Sequence, residues 1–144
     1  MATLRVEGEV VTPRQFSFED LAALPHQIPD ISALAPGQQG CAVRLRALLD
    51  ETGLRASASH LTLYADDGDY SASIPLDAVI DHGVVIYGFD QRPLPAEQGG
   101  PLRFLIPDVT ACGIGDVDAC ASVKFLSRIE ASDGRGPDTR PTSG

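Results

Sequence analysis

Two basic residues stand inside otherwise apolar segments in the last third of the chain. Lys124 lies in segment 121–129, and Arg103 lies in segment 102–106. A cation in such a place can hold a phosphate or another small anion. Each residue also has an ordinary explanation, because an alternating strand turns every second side chain to water. Arg103 has Asp108 nearby in sequence as a further candidate partner for an ion pair.

The cysteines are the next group that could carry chemistry. Cys112 and Cys120 bracket a short glycine-containing stretch, and their spacing differs from the C-x-x-C of zinc ribbons and thioredoxin-like sites. Three states stay open for this pair: unpaired structural thiols, a disulfide, or a metal or redox site that Asp116 and Asp118 complete. Cys41 is either a buried thiol or a ligand in a repositioned metal site.

The histidines give a weaker signal for metal binding. His26, His60 and His82 are far apart, and none has a second ligand two or four residues away. His26 follows a proline at the edge of a loop, so it is the histidine we expect closest to a bound ligand. The chain has no dinucleotide-binding fingerprint and no nucleophile elbow.

Apolar periodicity predicts the elements that must position these residues. Strands are predicted over residues 4–10, 60–65, 70–74, 84–89, 102–106 and 123–129. Helices are predicted over 17–24 and 43–52, with at most a short one at 75–80. Ser17 and Asp20 form a helix-start pattern, and Gly53 is placed to end the second helix. Many short strands with few short helices indicate an α+β or mostly-β domain.

Length and charge restrict the class of protein. The 144 residues fit one domain, which we assign to residues 1–131, followed by a disordered tail over residues 132–144 that is rich in Gly, Pro, Ser and Thr. The net charge of −9 argues against nucleic acid as a partner. The chain has no apolar run long enough to span a bilayer and no secretory signal at its start, so we expect a soluble, cytoplasmic protein with reduced cysteines.

The order of several segments resembles the oxidoreductase molybdopterin-binding domain of the sulfite-oxidase-like family. The resemblance covers about 125 residues, each segment being weak alone and moderately specific in this order. The matching segments are residues 4–13, 17–24, 43–49, 67–76, 100–103 and 122–126.

The resemblance implies an α+β fold of mixed sheets with short helices, and a molybdopterin cofactor bound between loops. In that family, basic side chains and backbone N–H groups near the segment that matches Lys124 hold the phosphate of the pterin. The resemblance therefore makes Lys124, Ser122, Arg103 and His26 the candidate cofactor-binding residues. The metal of such a cofactor is molybdenum.

The chain departs from the family pattern at two positions. The family's metal-binding cysteine falls near Asp30 in this sequence, where no thiol stands, and Cys41 lies at the other end of that loop. The family's tryptophan falls near Gly40, and this chain contains no tryptophan. A thiolate is a good ligand for a redox metal, whereas a carboxylate or hydroxyl would change the metal's electronics. Either the protein binds the cofactor without that bond, or the site has lost its chemistry.

Three functions follow from these observations. The first is a molybdopterin-dependent oxidoreductase that passes electrons to a separate redox partner. The second is a non-enzymatic descendant of the fold that binds a small anion or a partner protein. The third is a metal or redox module built on Cys112 and Cys120.

Overall fold

Two five-stranded sheets form the framework of the described part of the chain. The computed structural model describes residues 4–34, 40–65, 71–89, 92–94, 102–106, 126–134 and 136. The strands are β1 Leu4–Gly8, β2 Arg14–Phe16, β3 Gln27–Ile28, β4 Cys41–Arg44, β5 His60–Ala65, β6 Ser71–Pro75, β7 Val84–Phe89, β8 Arg92–Pro93, β9 Arg103–Leu105 and β10 Leu126–Ser132. The helices are α1 Phe18–Ala22, α2 Leu45–Thr52 and α3 Leu76–Val79, with a 3-10 helix at Ile31–Ala33.

Short-range sequence signals set the ends of the two main helices. The Ser17 side chain accepts a hydrogen bond from the Asp20 N–H, and the Asp20 carboxylate accepts one from the Ser17 N–H, which confirms the predicted helix start. At the end of α2, Gly53 has a φ of 73°, a value that glycine adopts with little strain.

Helix α2 begins later than its apolar spacing predicts. The sequence pattern predicted a helix from Val43, but residues Cys41–Arg44 form β4 and pair with β7. The prediction was wrong at this end because pairing within a sheet overrides the weak local preference of a few residues. The correction matters for the site, since it places Cys41 and Ala42 on a strand in which neighbouring side chains point to opposite faces.

The first sheet has the strand order β2-β1-β10-β5-β6. Strands β1 and β10 are parallel, so the beginning and the end of the described chain lie side by side. Strands β5 and β6 are antiparallel and confirm the predicted hairpin, whose turn lies outside the described residues. The predicted boundary between domain and tail stays a prediction, although β10 itself ends at Ser132.

The second sheet has the order β3-β4-β7-β8, and β9 also pairs with β7. One face of it, with Val43, Val85 and Phe104, packs into the main core beside the helices and the first sheet. The other face carries a smaller apolar cluster, which consists of Ile28, Ile31, Ala42, Val84, Ile86, Leu94 and Leu105. Burial on both faces explains why 84–89 is a nearly continuous apolar run.

Among the residues that the structure describes, no helix has the length and apolar character needed to cross a bilayer.

Candidate functional site

The face of the second sheet with the smaller apolar cluster is here called the outer face. It brings together residues of β3, β4, β7 and β9. Register pairs Ile28 with Ala42, Ala42 with Ile86, and Ile86 with Arg103. Side chains at paired positions point to the same side of a sheet. Arg103 is therefore the charged end of an apolar row on the outer face. The 3-10 helix lies on this face too, because Ile31 is fully buried in the same cluster.

Arg103 is partly buried within this row. Its Nε atom is buried, and burial lowers the pKa of the guanidinium because desolvation disfavours the charged form. A guanidinium stays protonated across the physiological range despite such a shift. In a partly desolvated place its attraction for an anion is stronger than in open water. The chemistry of this side chain thus fits a phosphate or carboxylate ligand.

Asp30, near the position expected for the family's cysteine, has a structural role. Its Oδ1 accepts hydrogen bonds from the Ser32 hydroxyl at 2.6 Å and from the Ser32 N–H at 3.0 Å. These two bonds favour the carboxylate and so hold the pKa of the Asp30 carboxyl below its usual value. The bond from the Ser32 hydroxyl has the larger effect, and the bond from the Ser32 N–H adds to it. The carboxylate therefore caps the 3-10 helix.

Gly40, near the position of the family's tryptophan, leaves no room for a side chain. A Cβ atom built on it would lie 2.5 Å from the Gly88 carbonyl oxygen and 3.2 Å from Ile86 Cγ2. Its φ of 120° is also one that non-glycine residues rarely adopt. The Gly40 carbonyl accepts a hydrogen bond of 2.9 Å from the Ile31 N–H, which ties the 3-10 helix to the start of β4.

Cys41 lies on the opposite face of the second sheet from Arg103. It packs against the main core, whereas the next residue, Ala42, belongs to the outer-face cluster. The Cys41 side chain lies beside the Tyr87 phenol. Burial is the main cause that raises the pKa of Tyr87 to about 12, and the neighbouring Cys41 adds to the shift, so the phenol stays neutral. The thiol and the guanidinium therefore cannot act on one ligand across the sheet.

Gln27 and Tyr87 form a partly buried polar network that no sequence signal indicates. The Tyr87 hydroxyl donates to Gln27 Oε1, and Gln27 Nε2 donates to the carbonyl oxygens of Leu21 at 2.7 Å and Leu24 at 2.9 Å. The Tyr87 ring also meets Phe18 edge-on, with ring centroids 5.6 Å apart. This network joins the end of α1 to β3 and β7. Sixty positions separate the two polar residues in sequence, which is why spacing could not reveal the pair.

His26 lies at the edge of the second sheet formed by β3, whereas Arg103 lies at the other edge, on β9. His26 is exposed, directly precedes β3, and has a φ of 61°. Strands β4 and β7 lie between β3 and β9, and three strand spacings amount to about 14 Å. The structure therefore does not bring these two predicted residues together.

The other predicted site residues lie outside the described part of the chain. These are Lys124, Ser122, Cys112 and Cys120. Their proposed roles stay predictions. Within the described ranges, no three His, Cys, Asp or Glu side chains gather in a way that could hold a metal ion.

A cavity of about 150 Å³ lies beside β1 and β2 of the first sheet, lined by Arg5, Val6, Glu7, Pro13, Arg14 and Gln15. Its two arginines already meet carboxylates, Arg5 with Glu7 at 3.4 Å and Arg14 with Glu51 at 2.8 Å. These acidic neighbours weaken the attraction of the cavity for an anion.

The residues present fit one end of a molybdopterin cofactor and not the other. Arg103 suits the anionic phosphate. The segment around Asp30 does not suit a bond between molybdenum and a protein sulfur, because its carboxylate caps a helix and Ile31 is buried. Cys41 is the cysteine that lies among the described residues, and it faces the main core.

Comparison with known proteins identifies the family. The family described as oxidoreductase molybdopterin binding domain matches residues 40–139. An uncharacterized oxidoreductase, YuiH of Bacillus subtilis (strain 168), is 31% identical over 113 residues, which are 72% of this chain and 56% of that protein. The chain thus spans little more than half the length of this curated relative.

A solved structure confirms the predicted α+β fold of mixed sheets with short helices. The sulfane dehydrogenase SoxCD from Paracoccus pantotrophus superposes with a TM-score of 0.68 at 21% identity, covering 93% of this chain and 39% of that chain. Since the family match covers well over half of the sequence, the chain belongs to the oxidoreductase molybdopterin-binding domains and has their sulfite-oxidase-like fold.

Proposed function

We propose that this chain binds molybdopterin at the outer face of the second sheet and serves as the cofactor-binding domain of an oxidoreductase. The observation that carries the proposal is the position of Arg103. It is a partly buried cation on the same face as the 3-10 helix, in a domain of this family. When bound, the cofactor supplies the redox chemistry, while the protein binds and orients it.

Arg103 would hold the phosphate of the pterin. Its planar guanidinium can donate two parallel hydrogen bonds to an oxyanion, which fixes orientation as well as position. The apolar neighbours Ile86 and Leu105 exclude water from one side of the row. A charge-assisted hydrogen bond in such a setting contributes roughly 1.5–3 kcal/mol.

Lys124, Ser122 and His26 complete the proposal on the basis of the family resemblance. Lys124 would add a second positive charge at the phosphate, and Ser122 a hydroxyl and a backbone N–H. His26 has the weakest support of the three, since β4 and β7 separate its strand from Arg103.

We assign no protein thiolate to molybdenum. The segment around Asp30, near which the family's cysteine is expected, does not fit that bond, so the described residues support the phosphate end of the cofactor and not the metal. We further propose that the domain works in the cytoplasm and passes electrons to a separate redox partner; the support is its membership of an oxidoreductase family.

The test is cofactor content after production of the chain in a host that makes molybdopterin. Pterin is measured by its fluorescent oxidation product, and molybdenum by mass spectrometry, on the same purified sample. We expect pterin near one equivalent per chain, and Arg103→Ala to weaken its retention about tenfold to a hundredfold. Lys124→Ala should weaken it in the same direction.

The matched control is Arg46→Ala. Arg46 lies on α2, is exposed, and pairs with Asp81, so losing it changes one surface ion pair and leaves the outer face intact. Its pterin content should equal that of the unmodified protein. The proposal is wrong if the unmodified chain carries no pterin, and the role of Arg103 is wrong if both arginine variants retain pterin equally.

A further inference from the structure

Strands β5 and β6 carry buried hydroxyl groups on the polar face of the first sheet. Thr62 and Ser73 are register partners, and both are almost completely buried, with 0% and 1% of their surfaces exposed. Serine and threonine side chains on a sheet face are usually exposed to solvent, so another part of the chain must shield Thr62 and Ser73 from water.

The chain that follows β10 provides the cover. After Ser132 it turns back, with the Ser132 hydroxyl donating to the Gly134 carbonyl at 2.7 Å. The Gly134 N–H then donates to Ser59 Oγ at 2.8 Å, and the Gly136 N–H donates to Ser73 Oγ at 2.9 Å. Two backbone N–H groups of this segment are thus held by side-chain hydroxyls, one from Ser59 just before β5 and one from Ser73 on β6.

The fit requires glycine at both contacts, for different reasons. A Cβ atom on Gly136 would lie 2.3 Å from Thr62 Oγ1 and 3.5 Å from Thr62 Cβ. Gly134 has open space around it but a φ of 104°, which strains any other residue. The contact at Gly136 is therefore limited by shape, and the contact at Gly134 by backbone conformation.

Thr62 shows how closely the segment sits. Its Oγ1 is buried and has no hydrogen-bond partner among the described residues, which is unfavourable for a hydroxyl. The nearby N–H of Gly136 is used by Ser73 instead. The Thr62 hydroxyl therefore sterically excludes any side chain at position 136.

We propose that Ser59, Thr62 and Ser73 form a docking track for the glycine-containing segment that follows β10. The track selects glycine over Thr62, and this chain's own Gly134 and Gly136 occupy it. Recognition uses backbone N–H groups as donors and hydroxyl oxygens as acceptors. The segment after β10 is therefore held on the first sheet by a specific contact, independently of any cofactor.

The test uses the trypsin-sensitive bond between Arg135 and Gly136, whose cleavage reports how often the segment leaves the track. Cleavage of the full chain is followed by mass spectrometry. We expect Gly136→Ala to speed cleavage by at least about tenfold, because its methyl group collides with Thr62. Adding Thr62→Ala removes the colliding oxygen and should bring the rate back to within about threefold of the unmodified protein.

Two controls separate shape from general destabilisation. Thr62→Val keeps the bulk of the side chain, so it should not rescue Gly136→Ala. Gly134→Ala should also speed cleavage, but Thr62→Ala should not rescue it, because its strain lies in the backbone. Equal rates for Gly136→Ala and the unmodified protein would overturn the proposal, as would rescue by Thr62→Val.

Amide hydrogen exchange gives a second measurement that does not need the double variant to fold well. In the unmodified protein, the amides of Gly134 and Gly136 should both be protected. Ser73→Ala should remove protection at Gly136 at least about tenfold more strongly than at Gly134, since it deletes one acceptor and leaves Ser59 in place. Unprotected amides in the unmodified protein would refute docking directly.

Discussion

Removing the Tyr87 hydroxyl should measure how much the partly buried network of Tyr87 and Gln27 stabilises the framework of the site. Tyr87→Phe keeps the ring and its edge-on contact with Phe18, and deletes the hydrogen bond to Gln27. Gln27 is only partly buried, so water can replace part of the lost bond. One net hydrogen bond, with an acceptor left incompletely satisfied, amounts to about 1–2 kcal/mol.

That loss has an observable size. For a chain of this length, about 1–2 kcal/mol lowers the melting temperature by about 3–8 °C. Urea unfolding should give the same change in the free energy of unfolding without a change in slope. Tyr64→Phe is the control, since the Tyr64 hydroxyl makes a long contact of 3.4 Å with Glu130 on the first sheet. Its effect should stay below about 0.5 kcal/mol.

A double-mutant cycle with Gln27→Leu separates the pair from the rest of the network. The coupling between the two substitutions should be about 0.5–1.5 kcal/mol, because each removes the same hydrogen bond. Gln27→Leu alone should cost more than Tyr87→Phe, since it also frees the carbonyls of Leu21 and Leu24 at the end of α1. A coupling of zero, or a Tyr87→Phe protein as stable as the original, would refute this account of the network.

Three further predictions concern the same region. Since burial raises the pKa of Tyr87 from 10.0 to about 12, the neutral phenol contributes fully to the stability of the folded state below pH 10.0. That contribution is lost as the pH rises from 10.0 to about 12. Tyr87→Phe should therefore flatten this part of the plot of unfolding free energy against pH, as measured by urea unfolding. The Asp30 carboxyl should titrate by NMR below 3.8, so its capping is complete above that pH and fades below it, and Asp30→Asn should leave pterin content unchanged. Gly40→Ala should lower the free energy of unfolding by about 2–4 kcal/mol, and Gly53→Ala, where a Cβ meets Val11 at 3.4 Å, by about 1 kcal/mol.

Local signals predicted much of the framework. The Ser17 and Asp20 cap acts over three residues, and the end of α2 depends on one glycine, so both could be found in the sequence. The hairpin of β5 and β6 follows from alternation on two adjacent segments. The start of α2 could not be predicted in this way, because β4 owes its extended form to β7, which lies forty positions later in the chain.

The candidate site was less predictable than the fold. Arg103 could be singled out as a cation in an apolar segment, but its face follows from its pairing with Ile86. Gln27 and Tyr87 gave no signal, since neither type is unusual alone and their contact depends on the fold. Asp30 was identified by counting along the family pattern, and only its contacts with Ser32 reveal what its carboxylate does.

The position of Cys41 on β4 keeps its thiol away from the face of the second sheet that carries Arg103. A strand turns alternate side chains to opposite faces, and both faces of β4 are in use, the main core on one side and the outer-face cluster on the other. Cys41 faces the core, and a thiol on the Arg103 side would have to stand at position 42, where Ala42 is completely buried. A larger side chain there would displace Ile28 or Ile86, its register partners. The geometry of β4 therefore separates the thiol from the cation, whatever the cofactor content of the chain.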